Sequence, residues 1–250
     1  MKIGILGVGH LAEYLVRGAA GVEFVLSPGS GGKADRLAAR FGCTVAGSNQ
    51  AVVDQCDMVL VCLPAATGLS VLAGLRFRAG QSVCSAMAGA SWDALSAAVG
   101  PARPFCTMMP GFANAFSVGP SLLYPDDAEW GAFLALLGPV HRFDDARSFE
   151  TAAVFGAMSG ASFYLLRHLM RWYVVQGLEE AAARALVAET FRGNADVFLR
   201  ADAGLDAIAD GVTTKGGITA QLVGVLEEAG ALAAWDAGMD AVLARMVPGR

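Results

Sequence analysis

Lys2–Ala12 reads KIGILGVGHLA, an apolar run of strand length followed by a glycine pair and the opening of a helix. KIGIL is short, bounded by glycine and rich in aliphatic residues, while HLAEYLVRGAA behind it carries the helical period. Gly7, Gly9 and Ala12 follow the spacing G-x-G-x-x-A. In a strand-turn-helix of this kind the first glycine permits the tight turn and the second lets a pyrophosphate approach the backbone. The third position must be small where the helix packs on the strand. The backbone N–H groups of His10 and Leu11 open the helix and point at the same anion. The position between a strand and a helix gives the motif a weight that a lone glycine pattern lacks.

Working outward, short β-branched and aliphatic runs alternate with helical patterns as far as about Asp144. KIGIL, VEFVL, CTVA, MVLVCL, QSVCSA and PFCTMM read as strands. The alternation predicts βαβ units and a parallel sheet. SLLY (Ser121–Tyr124) and VHRF (Val140–Phe143) flank the helical DDAEWGAFLALLG and extend the sheet at one edge. After Asp145 the strand signals stop, and Ala-rich helices are predicted over roughly 146–176, 179–201, 203–210, 217–229 and 231–246. The expected domains are 1–146, binding a dinucleotide, and 147–250, all-helical. Only FDDARS joins them, with no Pro- or Ser-rich linker.

Hydrophobic residues make up 55% of the 250 and charged ones 16%, which predicts apolar surface covered by a second copy. A net charge of −5 gives no basic field for a phosphate backbone, so no nucleic-acid partner is expected. The five cysteines, Cys43, Cys56, Cys62, Cys84 and Cys106, show no metal-ligand spacing and read as core residues in a reducing compartment. The N-terminal apolar run is too short for a signal peptide, and Ala152–Leu166 is too short and too rich in glycine and serine to span a bilayer. A cytoplasmic chain without membrane contact is expected.

At the end of the second strand an NAD-preferring site places Asp or Glu against the ribose hydroxyls. Here Ser27 stands there, followed by PGSGGKADR, and Ser27, Ser30, Lys33 and Arg36 are donors suited to a 2′-phosphate. NADPH is therefore the expected cofactor in preference to NADH. Cys62, Leu63 and Pro64 after the fourth strand, Ala88 after the fifth and Pro110 after the sixth lie at the same carboxyl edge of the sheet, where ligands of such folds sit.

The second informative stretch is VTTKGGITAQLVGVLEEAGALAAWDAGMDAV, Val212–Val242. Two glycines entering a helix free several N–H groups for an anion, although a plain turn with an N-cap reads the same way. Taken with MKIGILGVGHLAEYLVRG, SNQAVVDQCDMVLVCLP, SAMAGAS and MMPG in order along the chain, this stretch resembles the pyrroline-5-carboxylate reductase family. Val212, Thr213, Gly216, Gly217, Thr219, Glu228 and Gly230 carry the most specific part of the likeness.

The resemblance implies an N-terminal Rossmann domain and a C-terminal helical dimerisation domain that interlocks with its twofold mate, each active site lying between the cofactor and the helical domains. It implies that Thr214, Lys215, Gly216, Gly217, Ile218 and Thr219 cradle the carboxylate of a cyclic imino acid, with the Thr219 hydroxyl toward the ring nitrogen. It places Asp202 near the substrate and Asn49 at the cofactor. Hydride addition to a protonated imine needs alignment more than acid-base machinery, and His10, His141 and His168 form no evident dyad.

The chain departs from the family pattern at Lys215, where a proline is usual, at Gly111, at Ile218 and over FGAMSGA (Phe155–Ala161). These departures fall on the substrate side, so imine reduction with NADPH is the firmer expectation and pyrroline-5-carboxylate, or a close analogue, the finer one. The alternatives are a β-hydroxyacid dehydrogenase-type enzyme and a non-catalytic NADPH-binding paralogue. The former usually needs a lysine in the long helix, and the helical half offers only Lys215.

Overall fold

The computed structural model describes residues 1–247, the side chain of Ser30 excepted. Among these residues one sheet is built from β1 (Lys2–Leu6), β2 (Glu23–Leu26), β3 (Thr44–Val45), β4 (Met58–Val61), β5 (Ser82–Ser85), β6 (Arg103–Met108), β7 (Ser121–Tyr124) and β8 (Val140–Arg142). Its order is β3-β2-β1-β4-β5-β6-β7-β8. The first six strands pair in parallel, as βαβ connections require. The sheet departs from the all-parallel expectation at β7, which pairs antiparallel with β6, while β8 runs parallel to β7. The connection from β6 to β7 holds one short 3-10 segment, Phe112–Phe116, in place of a crossover helix, so the chain returns beside the strand it left.

Helices cover both faces. On one face α1 (His10–Gly18), α2 (Lys33–Phe41) and α6 (Ala128–Ala135) bury Leu15, Val16, Leu37, Trp130, Phe133 and Leu134 with Ile3, Ile5 and Leu60 of the strands. On the other, α3 (Asn49–Gln55), α4 (Ala65–Ala73), α5 (Trp92–Val99) and α7 (Ala146–Ala153) bury Val52, Val53, Leu72, Leu95, Val99 and Phe149 against Leu6, Val59, Val61 and Val83. Each fully buried aliphatic or aromatic side chain contributes roughly 1.5–3 kcal/mol, so two such layers anchor the strand ends that carry the loops.

The helix expected over 146–176 is two helices. Val154 N–H bonds to Thr151 O at 3.3 Å, a tightened last turn, and α8 (Phe155–Val175) begins immediately after it. The chain divides into two compact units, one of Met1–Gly156 with the chain from Val242 on, the other of Ala157–Ala241. The sequence reading divides at 146/147, where strand signals end; α7 nevertheless groups with the sheet, because Phe149 and Ala153 belong to its core. The second unit holds most of α8, then α9 (Glu180–Arg200), α10 (Leu205–Val212), α11 (Ile218–Glu228) and most of α12 (Ala231–Met246). No helix of the described residues is long and apolar enough to cross a membrane.

Candidate active site

β1 and β4 are neighbours whose following helices lie on opposite faces, and this switch point opens a crevice at their carboxyl ends. Gly7 leaves β1 at φ +93°, and a Cβ there would sit 2.8–2.9 Å from backbone atoms of Cys62 and Leu63. Only glycine fits between the two strand ends. Gly9 differs: its φ of −108° is open to any residue, and a Cβ would meet nothing within 4 Å. The space in front of Gly9 is free for a ligand. Gly9 is also the N-cap of α1 with no side-chain cap bond, so the first-turn amides of His10, Leu11 and Ala12 face outward while Ala12 itself is fully buried. Free amides at a helix start, a positive dipole end and an uncrowded glycine together fit a pyrophosphate.

Beside this loop lies a groove of about 390 Å³ lined by Gly9, His10, Glu13, Lys33, Arg36, Leu37 and Arg40. Three cations against one carboxylate suit a phosphate monoester. Lys33 and Arg36 were legible in the sequence. Arg40 and Glu13 were not singled out, though Arg36 and Arg40 are spaced i, i+4 on α2 and so share a face. Arg36 donates to Gly31 O at 3.1 Å, tying the loop after β2 to α2. Ser27 is placed differently from the expected phosphate donor: it is buried, and its hydroxyl accepts from the Gly7 N–H at 3.0 Å. The side chain of Ser30 lies outside the described residues.

Leu63 and Cys62 are half-buried at the end of β4, and Pro64 is the exposed N-cap of α4. Burial of its sulfur pushes the Cys62 thiol up to about 12, so it serves no thiolate chemistry at neutral pH. Asn49 is the first residue of α3, behind Ser48, whose hydroxyl caps the helix by accepting from Ala51 N–H at 3.1 Å. Ala88 is exposed in the loop after β5. Pro110 precedes Gly111, which turns at φ +75° and donates to Asn114 Oδ1 at 3.0 Å. Asn114 is fully buried and also donates to Gly119 O and Leu137 O, which makes it the peg of the β6–β7 connection. It was missed in the sequence; the signal was one amide inside an apolar stretch between two glycines.

In the helical unit Gly217 N–H donates to Thr214 O at 2.9 Å and Gly216 has φ +77°, the pattern of a type II turn with Lys215 at its second position. A Cβ on Gly217 would lie 2.8 Å from Thr214 Oγ1. The turn therefore accounts for both glycines, and it commits the Gly217 amide, which the sequence reading had left free. Gly217 is the N-cap of α11 without a side-chain bond, so Ile218, Thr219 and Ala220 present the first-turn amides. Ile218 is 87% exposed, Thr219 is half-buried and Lys215 exposed. Asp202 is exposed between α9 and α10. The described residues hold no cluster of metal-ligating side chains.

Residues 149–247 match the model of the pyrroline-5-carboxylate reductase dimerisation domain, and residues 2–89 that of NADP oxidoreductase, coenzyme F420-dependent. A pyrroline-5-carboxylate reductase of Escherichia coli is 27% identical over 249 residues, covering 93% of this chain and 92% of that one. The helical half thus carries the pyrroline-5-carboxylate reductase dimerisation domain, and over nearly its whole length the chain is similar to pyrroline-5-carboxylate reductases. It is accordingly an NAD(P)H-dependent oxidoreductase acting on a C=N bond, and its cofactor is of the NADP type. Solved structures share the fold of this chain. A 1-pyrroline-5-carboxylate reductase of Streptococcus pyogenes superposes with a TM-score of 0.86 at 24% identity, covering 98% of both chains. The Plasmodium falciparum pyrroline carboxylate reductase with NADP bound gives 0.86 at 17%, over 98% of this chain and 97% of that one.

The helical unit of this reductase is short of buried surface. Helices α8, α10, α11 and α12 hold no buried residue, and in α9 only Ala183 and Val187 are buried. Tyr164, Trp172, Val175, Phe198, Leu199, Leu222 and Leu232 stand exposed. So much apolar surface on one unit marks an interface with another chain, in agreement with the dimerisation model it matches.

Proposed function

We propose that the chain reduces a cyclic imine carboxylate with NADPH, 1-pyrroline-5-carboxylate to proline or a close analogue, as a homodimer joined through its helical unit. The observation that carries this reading is the Thr214–Thr219 turn, which leaves the amides of Ile218 and Thr219 without a side-chain cap at a helix start. Such amides favour a carboxylate by charge-assisted hydrogen bonds. Lys215, at the tip of the turn, adds a positive charge beside them, and Asp202 matches a family position that can carry an acidic residue near the substrate.

On the cofactor side, Gly9 and the amides of His10 and Leu11 hold the pyrophosphate, and Lys33, Arg36 and Arg40 hold the 2′-phosphate. Asn49, Cys62, Leu63, Pro64, Ala88 and Pro110 border the rest of the dinucleotide at the carboxyl edge of the sheet. When bound, NADPH supplies a hydride to the imine carbon. The chain's own residues fix geometry: the turn anchors the carboxylate and the Thr219 hydroxyl orients the ring nitrogen, whose protonation already makes the carbon electrophilic. Orientation of this kind is worth several kcal/mol of barrier without a general base.

The test is NADPH oxidation by the purified protein with 1-pyrroline-5-carboxylate, with 1-piperideine-2-carboxylate and with a 3-hydroxy acid's keto counterpart lacking nitrogen. Turnover confined to the imines supports the proposal. Turnover of the keto acid supports a β-hydroxyacid dehydrogenase, and NADPH binding without turnover a non-catalytic paralogue. Thr219→Ala is expected to lower imine turnover at least tenfold, by about 1.4 kcal/mol of lost orientation, with NADPH affinity unchanged.

A further inference from the structure

We propose that Ser27 is a positioning residue for the glycine loop, setting the affinity for NADPH and NADH alike and taking no part in the choice between them. It rests on the cofactor reading above. Ser27 is the first residue after β2, and its backbone N–H continues the ladder to Ile5 O at 2.9 Å. Ser27 is 4% exposed and does not line the groove where Lys33, Arg36 and Arg40 stand. Its hydroxyl accepts from the Gly7 N–H at 3.0 Å. Gly7 is held on its other flank by the backbone of Cys62 and Leu63, so the turn at φ +93° is clamped between the ends of β2 and β4. A second contact from the β2 side reinforces the clamp: Gly29 packs against Val8, where an added Cβ would lie 3.2 Å from the Val8 Cβ.

Without the hydroxyl, the part-buried Gly7 N–H loses its acceptor. A partly buried donor left unpaired favours loop arrangements that hydrate it. The fraction of molecules with the loop seated then falls, and the apparent affinity for any dinucleotide falls by that same fraction. A common factor cannot change the ratio of the two affinities. A side chain that touched the 2′-phosphate would act on NADPH alone.

The experiment compares wild type, Ser27→Ala, Ser27→Thr and Lys33→Ala by calorimetric titration with NADPH and with NADH. Thermal melts of the apo proteins and hydrogen exchange at the Gly7 amide accompany it. Ser27→Ala is expected to weaken both nucleotides by about tenfold with their ratio held within twofold, and to speed Gly7 exchange while the β1 amides keep their protection. Ser27→Thr, which keeps the oxygen, restores both. Lys33→Ala weakens NADPH only. Loss confined to NADPH in Ser27→Ala would make Ser27 a direct phosphate contact and overturn the proposal. Unchanged affinities with faster exchange would overturn it too, since the bond would then exist without setting the loop. A parallel loss of NADPH and NADH in Lys33→Ala, with no NADPH preference in wild type, would instead undo the 2′-phosphate assignment and leave the Ser27 comparison intact.

Discussion

Gly7 and Gly9 invite the same substitution with opposite outcomes. In Gly7→Ala the new Cβ stands 2.8 Å from the Cys62 carbonyl carbon and oxygen, which are backbone atoms and have no rotamer to escape through. An L-residue at positive φ and an overpacked contact together cost roughly 2–5 kcal/mol. At about 2–4 °C per kcal/mol for a chain of this size, the apo midpoint should fall by roughly 4–20 °C. Loop displacement that relieves the overlap removes the seat for the pyrophosphate, so NADPH affinity should fall about 100-fold as well. In Gly9→Ala the backbone conformation suits alanine and the Cβ meets no protein atom within 4 Å. The expected stability loss is that of an N-cap change, about 1 kcal/mol or less. The methyl group nevertheless occupies the approach to the pyrophosphate, so affinity again falls about 100-fold, now with the fold intact. Differential scanning calorimetry of the apo proteins and fluorescence titration with NADPH measure the two quantities. A Gly9→Ala protein that binds NADPH within threefold of wild type would refute the reasoning, because no dinucleotide then passes over Gly9.

Three further outcomes are expected. Lys33→Ala should weaken NADPH about tenfold, the worth of one charge-assisted contact, and leave NADH alone; a parallel loss of both would place Lys33 outside the phosphate site. The wild-type protein should scatter light at no less than twice the 25.7 kDa of one chain, and Leu199→Asp, at a site 81% exposed, should reduce that mass; a wild-type monomer would contradict the assembly. Burial holds the Cys106 thiol up at about 12 from its ordinary 9.0, and raises Cys84 as well. Between those values the unfolded chain loses protons that the native chain keeps, so stability should decline as pH rises from about 9 toward 12, and Cys106→Ala should flatten that decline in urea titrations.

Much of this fold could be read in the residues because local and tertiary signals agree. The runs at Lys2–Leu6 and Ser121–Tyr124 are strands where the apolar pattern placed them, and the helix at Ala231–Met246 keeps its expected bounds. What escaped the sequence was set by neighbours distant along the chain. Val154 ends α7 without a proline or glycine at that position, because Phe149 and Ala153 hold that helix on the sheet. The reversal of β7 depends on a connection pinned by Asn114, whose partners Gly119 and Leu137 no periodicity reveals. Ser27 stands where a ribose-reading acid is usual, and composition alone assigned it to the phosphate; its inward hydroxyl depends on the turn at Gly7. At the substrate side the glycines of the late turn were legible, but the engagement of the Gly217 amide by Thr214 was not, since a cradle and a closed turn share the same letters.

The carboxylate at the late turn is tested most directly by the structure of the enzyme crystallised with NADPH and proline. The account predicts the proline carboxylate within about 2.7–3.2 Å of the Ile218 and Thr219 amide nitrogens, with the Thr219 hydroxyl beside the ring nitrogen. A proline carboxylate held by other groups, with those amides facing only water, would contradict it.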